Sequence, residues 1–92
     1  MEIGNFEIGR VVLATAGRDK GRLFIVVGIV DQNNVLIANG TTSPISKPKR
    51  KKIKHLKPKK ELITSIREKI LGGKRIFDSE ISKQLEALGY EE

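Results

Sequence analysis

Nine of the fourteen residues between Lys47 and Lys60 are basic: Lys47, Lys49, Arg50, Lys51, Lys52, Lys54, Lys57, Lys59 and Lys60, with His55 among them and no acidic residue. Like charges at this density repel one another, so the stretch disfavours a compact fold until a polyanion neutralises it. A nucleic-acid backbone is such a partner. Each phosphate contact releases condensed counterions, and six contacts would make log affinity fall with log salt at a slope of about −4 to −5. The bland alternative is a solvated loop that only aids solubility. A second basic cluster lies in the turn Gly17-Arg18-Asp19-Lys20-Gly21-Arg22. Gly17 and Gly21 allow positive φ and close backbone approach, and Arg18, Lys20 and Arg22 are long enough to reach a phosphate. An ordinary hairpin turn would use the same glycines.

Other chemistries find no residues to carry them. The absence of cysteine removes a disulfide framework, a thiolate zinc site and a cysteine nucleophile. His55 is the single histidine, and no paired ligand motif accompanies it. Asp19 lies between Arg18 and Lys20, which suits a turn former and not a general base. Lys20-Gly21 lacks the spacing and the Ser or Thr of a phosphate-binding loop. No catalytic residue, metal, cofactor or small-molecule substrate is expected. The four aromatic residues, Phe6, Phe24, Phe77 and Tyr90, can each be given a buried place. Recognition should therefore run through backbone shape and phosphate positions in a folded nucleic acid, not through bases stacked on exposed rings. His55 reads as a strand residue beside Leu56.

The elements that hold these clusters follow from periodicity. The chain has 92 residues, a mass of 10.2 kDa and a net charge of +7. One domain plus an appendage fits that length. Residues 1–46 are charge-balanced and residues 61–92 slightly acidic, so the Lys47–Lys60 stretch more than accounts for the excess. The longest apolar run, Leu23 to Val30, is far short of the about 20 residues a bilayer span needs. The first residues show neither a secretory nor a myristoylation pattern, and a cytoplasmic protein with no membrane attachment is the expectation.

Arg10–Thr15 and Leu23–Val30 read as strands, with Gly28 marking a bulge or bend. Asp31-Gln32-Asn33-Asn34 reads as a turn, Val35–Ala38 as the returning strand, and Thr41–Pro48 as a loop. Ile53 and Leu56 could anchor a last short strand that closes the sheet and leaves the basic side chains outward. Four or five short strands in so few residues favour a small barrel.

The period then changes to helical. Leu62, Ile63, Ile66 and Ile70 form one stripe, preceded by Pro58 and ended by Gly72-Gly73. A second helix starts at Asp78 or Ser79 and carries Ile81, Leu85 and Leu88. Gly89 would terminate it, with Tyr90 folding back on Leu85. Both helices are too short to be stable alone and must pack on each other or on the sheet. The fold class expected is α+β, a small β-barrel over residues 1–60 with its basic loop, then a two-helix extension over residues 61–92.

The segment from Gly9 to about Lys59 resembles the KOW module, the SH3-like barrel found in ribosomal proteins and transcription elongation factors. The matching residues are Gly9-Arg10-Val11-Val12, then Gly17-Arg18-Asp19-Lys20-Gly21-Arg22, Val26-Val27 and Val35-Leu36-Ile37-Ala38-Asn39-Gly40. Gly21 matches the family's hallmark glycine, and Phe24 stands where many members have another. The Asp31-Gln32-Asn33 turn and the run into Ile53-Lys54-His55-Leu56 look closest to the archaeal and eukaryotic large-subunit ribosomal proteins of type fourteen; short bacterial KOW proteins look similar. The resemblance implies ribosomal RNA as the partner, with ribosomal proteins as neighbours, Arg18, Lys20 and Arg22 on an RNA-facing loop, and the Lys47–Lys60 strip as a second contact. It does not extend to the helical tail. The competing expectation is a protein-interaction module of the translation or transcription machinery, docked through Ile66, Ile70, Ile81 and Leu85.

Overall fold

The computed structural model describes residues 5–88. Five strands, β1 (Arg10–Ala14), β2 (Leu23–Ile29), β3 (Asn34–Ala38), β4 (Lys49–Lys52) and β5 (Leu56–Leu62), precede two helices, α1 (Thr64–Leu71) and α2 (Asp78–Leu88). The strands make one antiparallel sheet in the order β4-β3-β2-β1-β5. The α+β class expected from the sequence is the one that forms.

The two edge strands, β4 and β5, are consecutive in the chain and joined only by a 3-10 turn, Ile53–His55. Across a flat five-stranded sheet the edges would be about 19 Å apart, at about 4.8 Å per strand. The chain from Lys52 to Leu56 reaches about 14 Å at most. The sheet must therefore curl. Two hydrogen bonds hold the curl: the Ile53 N–H donates to the Asn33 carbonyl (2.9 Å), and the Thr15 N–H donates to the His55 carbonyl (2.9 Å). The curl stops short of closure, because β4 and β5 share no ladder. The expected last strand that closes the sheet is thus replaced by two strands on opposite edges. Leu56 is buried at the start of β5, while Ile53 lies half-buried in the 3-10 turn.

Both faces of this sheet are covered. Val12, Ala14, Phe24, Val26, Val35, Ile37 and Leu56 fill the inside of the curl, with Phe6, Ile29 and Ile53 packed against them. Val11, Leu23, Ile25 and Ala38 point the other way, onto Ile63, Ile66, Ile76 and Ile81 of the helical segment. Strands buried on both faces read as unbroken apolar runs, which is why Leu23–Val27 shows no alternation. The β2–β3 register slips between Val26 and Gly28, the bulge expected from that glycine. A Cβ at Gly40 would come within 2.3 Å of the Asp78 carbonyl, so only glycine lets this loop pass under α2.

One boundary and two local details differ from those expected, while α2 starts at Asp78 and the Asp31–Asn34 turn forms as expected. Pro58 sits inside β5 opposite Val12, not ahead of a helix, and Leu62 pairs with Arg10. An edge strand tolerates a missing N–H, and pairing with β1 overrides the helical spacing of Leu62 and Ile63. The helix accordingly starts at Thr64, with Ile66 buried and Gly72-Gly73 ending it as expected. At α2, neither Asp78 nor Ser79 supplies the cap. Glu80 accepts from the Phe77 N–H (2.9 Å), and the Asp78 carboxylate accepts instead from the Ile45 N–H (2.7 Å). The Asp31–Asn34 turn forms with no positive φ; its Asp31 side chain accepts from the Asn33 N–H (2.8 Å) and the Asn34 amide (3.0 Å). Gly89 and Tyr90 lie outside the described residues.

Candidate nucleic-acid interface

The β1–β2 turn is built on two glycines in the left-handed region, Gly17 at φ +78° and Gly21 at φ +89°. The Gly21 N–H donates to the Ala14 carbonyl (2.8 Å) and the Arg22 N–H to the Asp19 carbonyl (2.9 Å), which tightens the loop. Arg18, Lys20 and Arg22 are left exposed at its tip. Asp19 turns the other way and is 7% exposed.

The Asp19 carboxylate accepts from the Lys49 ammonium and lies 3.7 Å from that of Lys51. Lys49 and Lys51 are two apart on β4 and so share a face. One buried carboxylate thereby ties the turn to the strand. The hydrogen bond from Lys49 holds the Asp19 carboxyl below its ordinary value; the charges of Lys49, Lys51 and Arg22 add to this, and burial opposes it. Asp19 is a turn former as expected, and it is also an anchor between the two basic clusters.

A second own-chain carboxylate lies beside the strip. Asp31 is 3.6 Å from the Arg50 guanidinium, and hydrogen bonds from Asn34 and the Asn33 N–H lower its pKa further than that charge does. Among the described residues, no carboxylate is within ion-pair distance of Lys47, Lys52, Lys54, Lys57 or Lys60.

The basic stretch is therefore not one strip. Lys47 precedes β4, Lys49 to Lys52 form it, Lys54 and His55 sit on the 3-10 turn, and Lys57, Lys59 and Lys60 belong to β5. The turn tip, β4 and the 3-10 turn adjoin one another. Two shallow depressions open there, one lined by Asn33, Asn34, Lys52, Ile53 and Lys54, the other by Asn34, Arg50, Lys51, Lys52 and His55. Lys57, Lys59 and Lys60 are on the opposite edge of the sheet, beside β1. Arg22 borders a separate cleft between β2 and α2, with Leu23, Asn39, Thr41, Ser82, Leu85 and Glu86.

Three features of the surface escaped the sequence reading. Asn33 and Asn34 bring amides to the basic depressions, which their place in a turn motif concealed. Arg10 donates to both Glu7 carboxylate oxygens (2.9 and 3.0 Å) and to the carbonyls of Lys59 (3.3 Å) and Lys60 (3.0 Å). It braces the β5 irregularity that carries those lysines, and only the register could reveal that. Phe77, expected to be buried, is 52% exposed, whereas Phe24 is fully buried and Phe6 half-buried.

Among the described residues, no group of three or more His, Asp or Glu could hold a metal, and no helix is long and apolar enough to cross a membrane. No protein-family model matches the chain. Curated relatives do. It is 39% identical over 83 residues to the large ribosomal subunit protein eL14 of Pyrobaculum arsenaticum, covering 90% of this chain and 74% of the relative. It is 36% identical to that of Pyrobaculum calidifontis, with the same coverage. With eL14 of Desulfurococcus amylolyticus the identity is 44% over 52 residues, or 56% of this chain and 54% of the relative. Similarity that runs through the basic turn, the lysine-rich edges and the helices, at this identity and coverage, makes the chain a member of the eL14 family of large ribosomal subunit proteins.

Proposed function

We propose that the protein is a non-catalytic, cytoplasmic component of the large ribosomal subunit or its assembly, and that it grips ribosomal RNA by its phosphates. The main contacts come from Arg18, Lys20 and Arg22 on the turn and from Lys47, Lys49, Arg50, Lys51, Lys52 and Lys54 beside it, with a smaller share from Lys57, Lys59 and Lys60 on the other edge of the sheet. The carrying observation is the Asp19 anchor, which fixes the turn and β4 side by side, so that cations from two parts of the chain are ordered before RNA arrives. Ordering cations in advance reduces the entropy lost on binding. On this reading the curled sheet, which runs to Leu62 and so crosses the boundary expected after residue 60, is an open form of the SH3-like barrel of the KOW module, and α1 and α2 form a helical extension that covers its outer face.

The test is a salt titration of affinity for large-subunit ribosomal RNA fragments, comparing the wild type with an Arg50→Glu, Lys52→Glu, Lys54→Glu variant. All three side chains are exposed, so the sheet should survive the change. At least a tenfold loss is expected at about 0.15 M salt, with a shallower salt slope. Unchanged affinity and slope would remove the proposal. The competing protein-docking reading relied on Ile66, Ile70, Ile81 and Leu85. Ile66 and Ile81 are fully buried against the sheet, and Ile70 and Leu85 pack on the same cluster.

A further inference from the structure

Among the described residues, Phe77 is one of three large apolar side chains left exposed, with Leu71 and Val30. Its setting sets it apart. The Arg75 guanidinium lies 4.8 Å from the ring centroid, a cation–π stack at the surface. The connector between α1 and α2 that carries the pair is not slack. The Lys74 N–H donates to the Lys69 carbonyl (2.8 Å), Ile76 is buried in the outer cluster, and Phe77 exchanges hydrogen bonds with Glu80 through its N–H and carbonyl.

The position just before a helix favours Ser, Thr, Asp or Asn, whose side chains can cap it. Here a phenylalanine occupies it and half of its surface faces water. Local rules broken without a structural gain mark functional positions.

The charges around the ring point to the occupant. Asp78 is committed to the Ile45 N–H, and Glu80 to Lys69 and the Phe77 N–H. Among the described residues, Lys74 and Arg75 have no carboxylate partner. A π-face stacked by one such cation, with a second exposed cation three residues earlier in the connector, suits a ligand that is both aromatic and anionic. A protein side chain is one or the other, whereas a nucleotide is both.

We propose that Phe77, backed by Arg75, is a stacking platform for one unpaired RNA base, with Lys74 and Arg75 meeting its flanking phosphates. This site is separate from the phosphate grip of the turn and β4, though it rests on the reading that the partner is RNA. Asp78 ties it, through Ile45, to the loop that leads into Lys47 and β4. A single RNA element with a splayed nucleotide could engage both.

The chain has no tryptophan, so Phe77→Trp creates a lone indole reporter that keeps a stacking face. The full-length protein is titrated with a labelled uridine dodecamer and with its duplex with oligoadenylate. The single strand should quench the indole emission and the duplex should not. Phe77→Leu, which keeps an apolar side chain but loses the π-face, should weaken single-strand binding by about tenfold and leave duplex binding unchanged.

Full single-strand affinity in Phe77→Leu, or unaltered indole emission at saturation, would overturn the platform while the phosphate grip still stands. A Phe77→Leu variant that keeps its RNA affinity but no longer associates with RNA-depleted large-subunit proteins would overturn it in favour of a protein contact. A wild type that binds neither RNA would overturn the platform and the parent reading together.

Discussion

The two edges of the sheet are both rich in lysine, yet they are built differently. On β4, Lys49 and Lys51 face the buried Asp19 and Arg50 lies near Asp31, so the charges are held in register by their own chain. On β5, Pro58 and the irregularity near Lys59 and Lys60 interrupt the ladder, and Lys57 and Lys60 project into solvent. Lysine, proline and bulges are the usual means of stopping an edge from pairing with another chain. The β5 edge therefore has a sufficient explanation in solubility, whereas the β4 edge carries buried machinery that solubility does not require. A shared richness in lysine does not mean a shared organisation.

That contrast can be broken most directly at its anchor. Asp19→Ala leaves Lys49 and Lys51 facing each other without a counterion and should lower the unfolding free energy by about 1–2 kcal/mol in urea at pH 7. Lys57→Ala and Lys60→Ala should stay within about 0.5 kcal/mol of wild type. Similar losses at both edges would erase the distinction.

RNA binding sharpens it next. Replacing Lys52 and Lys54 by Gln should cost about tenfold in affinity and flatten the salt slope by about 1.5 to 2. The same change at Lys57 and Lys60 should cost less than half that slope, because the turn 17–22 is tied to β4 through Asp19. Equal slopes would show that both edges contribute alike.

A smaller effect is expected from pH. The folded-state pKa of Asp19 is depressed below its ordinary 3.8, so the carboxylate stabilises the fold above that value and the benefit fades as pH falls through the lower folded pKa. The stability gap between wild type and Asp19→Asn should be full at pH 6 and shrink below pH 3.8. A gap that does not change with pH would assign the effect to hydrogen bonding alone. The smallest effect is at β5: Arg10→Lys, which cannot keep both the Glu7 fork and two carbonyl bonds, should cost about 0.5 kcal/mol. Hydrogen exchange should quicken near residues 59–61 and not in β4.

Much of the sheet was legible because glycine marks backbone events directly. Gly17 and Gly21 set the turn, Gly28 the bulge, and Gly72-Gly73 the end of α1. The passage from Pro58 to Ile63 was misread because Leu62, Ile63, Ile66 and Ile70 keep helical spacing whichever structure they adopt. Only pairing with β1 decides it, and that partner is distant in sequence. The basic residues were legible as a cluster, but not their division between two edges, since charge has no period. Asp19 shows why the site itself was half-hidden. An acid between two cations looks solvated in sequence, and its burial depends on where β4 passes.

The joining of opposite edges by so short a turn also sets an order of events during synthesis. β1 gains β2 as a neighbour almost at once, but its other flank stays bare until Leu56–Leu62 has been made and can lie against it. Through that interval the emerging chain exposes a row of unsatisfied amides and carbonyls beside an open apolar trough. A truncated or stalled product that ends before Leu56 would keep that flank bare, and pairing with a sister chain would be its natural fate.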